Sequence, residues 1–194
     1  MNAERTIVTA RGVTAPGRAW ARWRVPLGYP LAVACLWLAR PSIASVIFGA
    51  VIALVGLLVR AAAAGHLRKS QALASTGPYA RTRNPLYLGS AFLAGAFAVA
   101  SRSWIVAVLL GAYFLMFYPR VMRREEAELR AQYGEAFEEY ARRVPLFWPR
   151  LRAENADGGS RFSFAQYRRN REYQAAIGVA LILAMLGALA AWRR

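Results

Sequence analysis

Five apolar runs, at 25–39, 43–59, 86–100, 104–118 and 175–192, contain no charged residue, and they set what this chain can fold into. A soluble domain of this length would spread its apolar residues over one face of each element, whereas here they are gathered into blocks. Blocks of about 15 to 18 residues reach about 22 to 27 Å as helices, slightly short of a hydrocarbon core, so flanking residues must complete each span. Trp20, Trp23, Tyr29, Trp104, Tyr113, Tyr118 and Trp192 stand where that completion falls, as interfacial anchors do. The pattern predicts an all-α integral membrane protein with about five transmembrane helices plus cytoplasmic amphipathic helices, built as a single domain over 1–194.

The formal charge of +16 would suit a nucleic-acid binder if it were concentrated in a soluble region. It alternates with the apolar blocks instead, so no nucleic-acid partner is expected. Of the 26 Lys and Arg, only Arg40, Arg102, Arg193 and Arg194 fall on one side of the alternation. The positive-inside tendency then puts the N-terminus in the cytoplasm and the C-terminus outside. The basic, turn-rich N-terminus has no cleavable signal pattern, and the first block is expected to be retained. The turns at 40–42 and 101–103 are too short for anything but helical hairpins, which suits a compact protein of a bacterial inner membrane. Cys35 is the only cysteine and His66 the only histidine, so neither a disulfide within the chain nor a histidine metal centre is expected. Cys35, among Ala and Leu, reads as a small buried residue.

Room for chemistry is confined to the cytoplasmic stretches 60–85 and 119–173. The first leads into a polar, arginine-bearing elbow over residues 75–89, Ser75-Thr-Gly-Pro-Tyr79-Ala-Arg-Thr-Arg83-Asn84-Pro85-Leu-Tyr87-Leu-Gly89, between two spans. A bilayer tolerates irregular, charged backbone only at its boundary or beside a sheltered cavity. Pro85 is suited to start a helix, whose open amides could seat a carboxylate. In the second stretch Met122, Leu129, Tyr133, Phe137 and Tyr140 form an apolar stripe, interrupted at Gly134 and ended by the proline-bounded 144–149. That stripe turns Glu126 toward the interior beside Glu125, where a carboxylate needs a cation or hydrogen-bond donors. Residues 161–173 alternate Arg with Phe and Tyr, as a short interfacial helix before the last span would.

Taken together, Gly77-Pro78-Tyr79, Arg83-Asn84-Pro85-Leu86-Tyr87-Leu88-Gly89, Glu125-Glu126, Tyr133-Gly134, Glu139-Tyr140 and Arg143-Val144-Pro145 resemble the isoprenylcysteine carboxyl methyltransferase family, whose wider group includes the membrane phospholipid methyltransferases. The likeness covers about residues 60 to 150 and divides the domain into N-terminal helices (1–60), a cofactor-binding core (61–150) and an interfacial segment with the last helix (151–194). It implies a membrane enzyme that binds S-adenosylmethionine on its cytoplasmic side and methylates a lipophilic acceptor taken from the bilayer. Carried over residue by residue, the strand-like Gln71, Ala72, Leu73 and Ala74 would meet the cofactor through backbone. Tyr79, Asn84, Pro85, Leu86 and Tyr87 would complete its pocket, with Glu125 and Glu126 at its polar end. Arg83, Asn84 and Glu125 are the implied catalytic residues, and Arg120 or Arg124 would neutralise an acidic acceptor.

The family's usual Arg-His-Pro reads Arg83-Asn84-Pro85 here, and Asn cannot titrate near neutral pH, so a general base at that position is not expected. The acceptor could be a prenylcysteine or isoprenoid carboxylate, a phospholipid amine or another small lipophile. Two other classes compete, an NADPH-dependent membrane reductase, which lacks a dinucleotide glycine pattern, and a non-catalytic membrane scaffold.

Overall fold

The computed structural model describes residues 17–67, 73–151 and 161–193, with side chains from residue 26 onward. The described residues form helices α1 (Gly17–Leu38), α2 (Ile43–His66), α3 (Pro85–Ser101), α4 (Trp104–Tyr133), α5 (Glu135–Arg143), α6 (Phe164–Arg169) and α7 (Tyr173–Trp192), with a 3-10 turn over Gly77–Ala80 and no strand. All five apolar blocks are helical. By length and apolarity α2, α4 and α7 can each cross a membrane, while the apolar portions of the other two, Pro26–Leu38 and Pro85–Ser101, are shorter. The basic residues before Pro26 take up the first turns of α1, and the elbow and Arg102 bound α3, which is why these two are short.

Local chemistry sets the boundaries. Ser42 and Ser45 cap α2 reciprocally: the Ser42 hydroxyl accepts from the Ser45 amide at 3.2 Å, and the Ser45 hydroxyl accepts from the Ser42 amide at 2.9 Å. Pro85 opens α3, where its missing N–H costs nothing, and Arg102 closes it in a left-handed conformation (φ 49°). At Gly134, φ 53° and ψ −125° end α4 and let α5 turn away, a backbone state open to glycine.

The most extensive helix contact is between α2 and α3. Gly49, Ala53 and Gly56 on α2 and Gly89, Ala96 and Ala100 on α3 are buried, and small size is what brings the backbones together. A Cβ at Gly49 would lie 2.7 Å from the Ala96 carbonyl oxygen, and one at Gly56 would lie 3.0 Å from that of Gly89. The outward residues, among them Val33, Trp37, Phe48, Val51, Leu58, Leu115, Leu181 and Trp192, are exposed and apolar, a surface suited to lipid.

The Arg40 amide donates to the Ser101 carbonyl at 2.8 Å, and Arg193 Nη1 donates to the Ala39 carbonyl at 2.9 Å. These bonds gather both hairpin turns and the end of α7 at one end of the bundle. The opposite end has the elbow, α5 and α6. There Asn170 Nδ2 donates to the Ala64 and Leu67 carbonyls at 2.8 and 3.1 Å, satisfying carbonyls at the C-terminus of α2.

Candidate functional site

The elbow is held by bonds to the segment following α5. Thr82 Oγ1 donates to the Phe147 carbonyl at 2.9 Å, the Arg83 amide to Pro145 at 2.9 Å, Asn84 Nδ2 to Leu146 at 3.0 Å, and the Arg150 amide to Arg81 at 3.0 Å. Arg83 Nη1 donates to the carbonyls of Ala141 (2.6 Å) and Val144 (3.0 Å), and the Tyr140 hydroxyl donates to the Tyr79 carbonyl at 2.8 Å. Gly77 makes the turn possible: its φ is 60°, and a Cβ there would sit 2.6 Å from the His66 ring. Much of the elbow's irregular backbone is thus paired with α5 and the segment after it.

Between the elbow, α4 and α5 lies a cavity of about 460 Å³, within the range of small-molecule sites. Leu73, Ala74, Tyr79, Asn84, Pro85, Leu86, Tyr87, Glu125 and Glu126 all line it, so residues far apart in sequence meet around one space. Gln71 and Ala72 lie outside the described residues. Tyr133, Phe137 and Tyr140, from the stripe, form the opposite wall.

The two glutamates face different partners. The Tyr87 hydroxyl donates to Glu125, whose side chain is otherwise open. Glu126 Oε1 lies 2.5 Å from Arg83 Nε, and both atoms are buried without an aligned hydrogen bond. This contact is ionic attraction without hydrogen-bond geometry. No side chain caps the N-terminus of α3, whose first residues line the same cavity. Burial, with smaller contributions from Tyr140, Glu125 and Glu172, pushes the Tyr79 hydroxyl well above its usual range, and burial does the same to Tyr140 against the opposing pull of Arg83.

Arg120 and Arg124 are not among the residues lining this cavity. Arg120 donates to the Met116 carbonyl on its own helix, and Arg124 pairs with Glu128 at 2.9 Å on an exposed face. His66 lies on the other side of the elbow, beside Gly77, Pro78 and Arg81 in a separate cavity of about 790 Å³, with Nδ1 2.8 Å from the Ala62 carbonyl.

The residue that sequence reasoning passed over is Arg60. It marked the end of the second apolar block, yet α2 continues to His66, so its guanidinium sits inside the helix and lines the elbow cavity. It also lines a third cavity, of about 460 Å³, between α2, α3, α4 and α7, whose walls include Leu93, Phe97, Phe114, Tyr118 and Ile182. The available signal was the renewed apolar run, 61–65, after a single charge.

Residues 27–136 match the family described as phospholipid methyltransferase. The chain is 34% identical over 103 residues to the nickel-cobalt-cadmium resistance protein NccN of Alcaligenes xylosoxydans xylosoxydans, covering 53% of this chain and 48% of that one. It is 33% identical over 103 residues to the cobalt-zinc-cadmium resistance protein CzcN of Cupriavidus metallidurans, covering 53% and 47%. The match thus spans about half the length of these curated relatives. No solved structure matches the chain significantly.

Proposed function

The chain belongs to the phospholipid methyltransferase family, and on that premise we propose that it is an S-adenosylmethionine-dependent membrane methyltransferase whose acceptor is a lipophile drawn from the bilayer. The observation that carries this reading is the elbow cavity. It combines two carboxylates on α4, the uncapped N-terminus of α3 and aromatic walls in a space of about 460 Å³. S-adenosylmethionine supplies a methyl group on a positively charged sulfur, together with an ammonium, a carboxylate and an adenosine. The residues fit those groups in kind. Glu125, held by Tyr87, offers an anionic partner, Glu126, paired with Arg83, adds negative charge beside it, and the α3 amides suit a carboxylate.

Methyl transfer from a sulfonium requires alignment and charge placement more than acid–base chemistry. Asn84 spends its amide N–H on the Leu146 carbonyl, so we assign it to holding the elbow. We assign Arg83 the same positioning role, on its two carbonyl contacts and Glu126. Without a titrating group at position 84, an acceptor already ionised at neutral pH is the simplest one. This favours O-methylation of a prenylcysteine or isoprenoid carboxylate over N-methylation of a lipid amine, which must lose a proton. The third cavity, apolar and bounded by four helices, would receive the acceptor's tail. The relatives' names speak of metal resistance. Among the described residues no group of three His, Cys, Asp or Glu side chains is placed to hold a metal ion. A reductase reading or a scaffold reading gains no specific support from the cavity.

Calorimetry of S-adenosylmethionine and S-adenosylhomocysteine against detergent-purified protein tests the assignment, with Glu125→Ala as control. Micromolar binding that the variant loses supports it; folded protein that binds neither compound rejects it, and NADPH binding in their place would bring the reductase forward.

A further inference from the structure

Arg60 is the one charged residue between Ile43 and Gly65 in a helix able to cross a membrane, and a guanidinium in that setting is costly unless it is used. Its donors are held from three directions. Nε and Nη2 each donate to Glu172 at 2.9 Å, a two-pronged contact from the residue preceding α7, and Nη1 donates to the Ser90 hydroxyl at 2.7 Å and the Leu86 carbonyl at 3.3 Å on α3. Arg60 and Glu172 keep 20% and 13% side-chain exposure, so this is a largely desolvated pair. A structural clamp alone would be a weak reason for such a pair, because burying two charges costs about as much as their attraction returns.

Its position supplies a stronger reason. Arg60 is shared by the two cavities: it lines the elbow cavity that contains Glu125 and Tyr87, and it lines the apolar cavity between α2, α3, α4 and α7. Tyr118 on the apolar side meets Tyr87 on the elbow side edge to face, with ring centres 5.4 Å apart, so the boundary between the cavities is thin there. A lipophile with its tail among Leu93, Phe97 and Ile182 and its head toward Glu125 would have to pass this guanidinium. On the elbow side Glu125, Glu126 and Glu128 would repel an anionic head, and the other cation there, Arg83, is paired with Glu126 and does not line the apolar cavity, which leaves Arg60 as the cation that faces both spaces.

We propose that Arg60 is the positioning residue that receives the oxyanion of the methyl acceptor, and that Glu172 is its stand-in, occupying the same guanidinium edge until an acceptor carboxylate or phosphate displaces it. The proposal rests on the methyltransferase reading above and adds the residue that selects the acceptor. Exchange of one carboxylate for another keeps the buried guanidinium paired throughout, so the acceptor need only outcompete an internal ligand. If the held oxyanion is itself the nucleophile, an oxygen lone pair forms the new O–CH3 bond as the S–CH3 bond breaks with its electrons left on sulfur. The sulfonium then becomes a neutral thioether and the carboxylate a neutral ester. The ester no longer pairs with Arg60, and return of Glu172 would favour its release. If the oxyanion is a lipid phosphate, it only anchors the head while a neighbouring group is methylated.

The test uses the full chain in nanodiscs and measures binding of a C15 isoprenoid carboxylic acid, its methyl ester and dioleoylphosphatidylethanolamine, with S-adenosylmethionine binding measured beside them. Wild type should bind the acid at least about tenfold more tightly than the ester, the selectivity expected of a charge-assisted contact. Arg60→Gln should abolish that preference, Arg60→Lys should restore part of it, and Glu172→Gln should tighten the acid several-fold without touching the ester. If Arg60→Gln does not fold, the neutral pair Arg60→Gln/Glu172→Gln replaces it, with the same loss of preference expected. Displacement of the acid by the phospholipid, with the same dependence on Arg60, would identify the phosphate as the natural oxyanion. Equal binding of acid and ester, or a preference that survives removal of the guanidinium, overturns the proposal and leaves Arg60 a helix clamp. Wild type that discriminates acid from ester yet never binds S-adenosylmethionine would instead overturn the methyltransferase reading.

Discussion

Arg83→Gln should destabilise the protein by about 3–5 kcal/mol, the range for breaking a buried pair, and the loss of cofactor binding should follow from the loss of structure. The guanidinium and Glu126 are 15% and 14% exposed, which places them with buried pairs and not with surface pairs worth under about 1 kcal/mol. Removing the charge also strands the Ala141 and Val144 carbonyls, each of which accepts from Nη1. Charge-assisted bonds of that kind contribute about 1.5–3 kcal/mol apiece, but all three contacts share one side chain and will not add. Arg83→Lys keeps a cation near Glu126 but lacks the fork, and should recover about half the loss. Arg83→Met with Glu126→Leu, which removes both charges, should recover the part due to an unpaired Glu126 but not the part due to the stranded Ala141 and Val144 carbonyls. The measurement is unfolding in mixed detergent, followed by helicity, with S-adenosylmethionine affinity determined on each variant under conditions where it is folded. A variant Arg83→Gln that unfolds like wild type and binds the cofactor like wild type, yet turns nothing over, would refute the positioning role and assign Arg83 to the chemistry.

Glu125→Ala should weaken S-adenosylmethionine by about ten- to a hundredfold, as expected for losing an ionic partner, while Tyr87→Phe, which removes only the donor holding it, should cost a few-fold by calorimetry. Gly56→Leu should cost about 1–3 kcal/mol, because even a Cβ there meets the Gly89 carbonyl at 3.0 Å and the α2–α3 backbones must separate; unchanged unfolding would mean the contact is soft. Gly77→Ala should destabilise by about 1–2 kcal/mol from its positive φ, with a further cost from the His66 ring, and should lower cofactor affinity through the displaced elbow. Burial holds the Tyr79 and Tyr140 hydroxyls above the ordinary value of 10.0, so the native state keeps those protons longer than the unfolded chain. Stability should therefore be level in pH below about 10 and fall above it, as the unfolded tyrosines ionise first. Tyrosinate absorbance from Tyr140, assigned with Tyr140→Phe, that appears in folded protein at its ordinary pH would contradict this.

What the sequence disclosed was governed by nearest neighbours along the chain. The start of α3 at Pro85, the break at Gly134 and the inward stripe of Met122, Phe137 and Tyr140 each follow from local backbone rules or helical spacing. The convergence of Tyr79, Tyr87 and Glu125 on one cavity came from the family resemblance and was not readable from periodicity. What stayed hidden depends on partners that no local rule links. Arg83 and Asn84 find theirs 58 to 62 positions away, at carbonyls, which every residue has and none advertises. Glu172 is 112 positions from Arg60, and an isolated acid in a basic juxtamembrane run reads as ordinary charge balance. The small residues of α2 and α3 were visible as composition, but their role as a backbone contact needed the helices to be placed side by side.

The bonds at the two ends of α7 make it a gauge. Glu172 is fastened to Arg60 and Arg193 to Ala39, and the positions separating Glu172 from Arg193 are as many as those separating Ala39 from Arg60. Two antiparallel stretches of equal count are pinned to each other at both ends, over a length of about 30 Å that matches a hydrocarbon core. An insertion of one residue in either helix would turn everything beyond it by about 100° and release one of the pins, whereas equal insertions in both could keep the pair. While both pins hold, the helix is poorly suited to swing about one end as a door; displacing Glu172 from Arg60 would leave the Arg193 pin alone. A lipophile entering the apolar cavity from the bilayer would pass the N-terminal half of α7, where Gly178, Val179 and Ile182 line that cavity, and not its C-terminal part, where Leu186 is buried against Ala39 and Ala100.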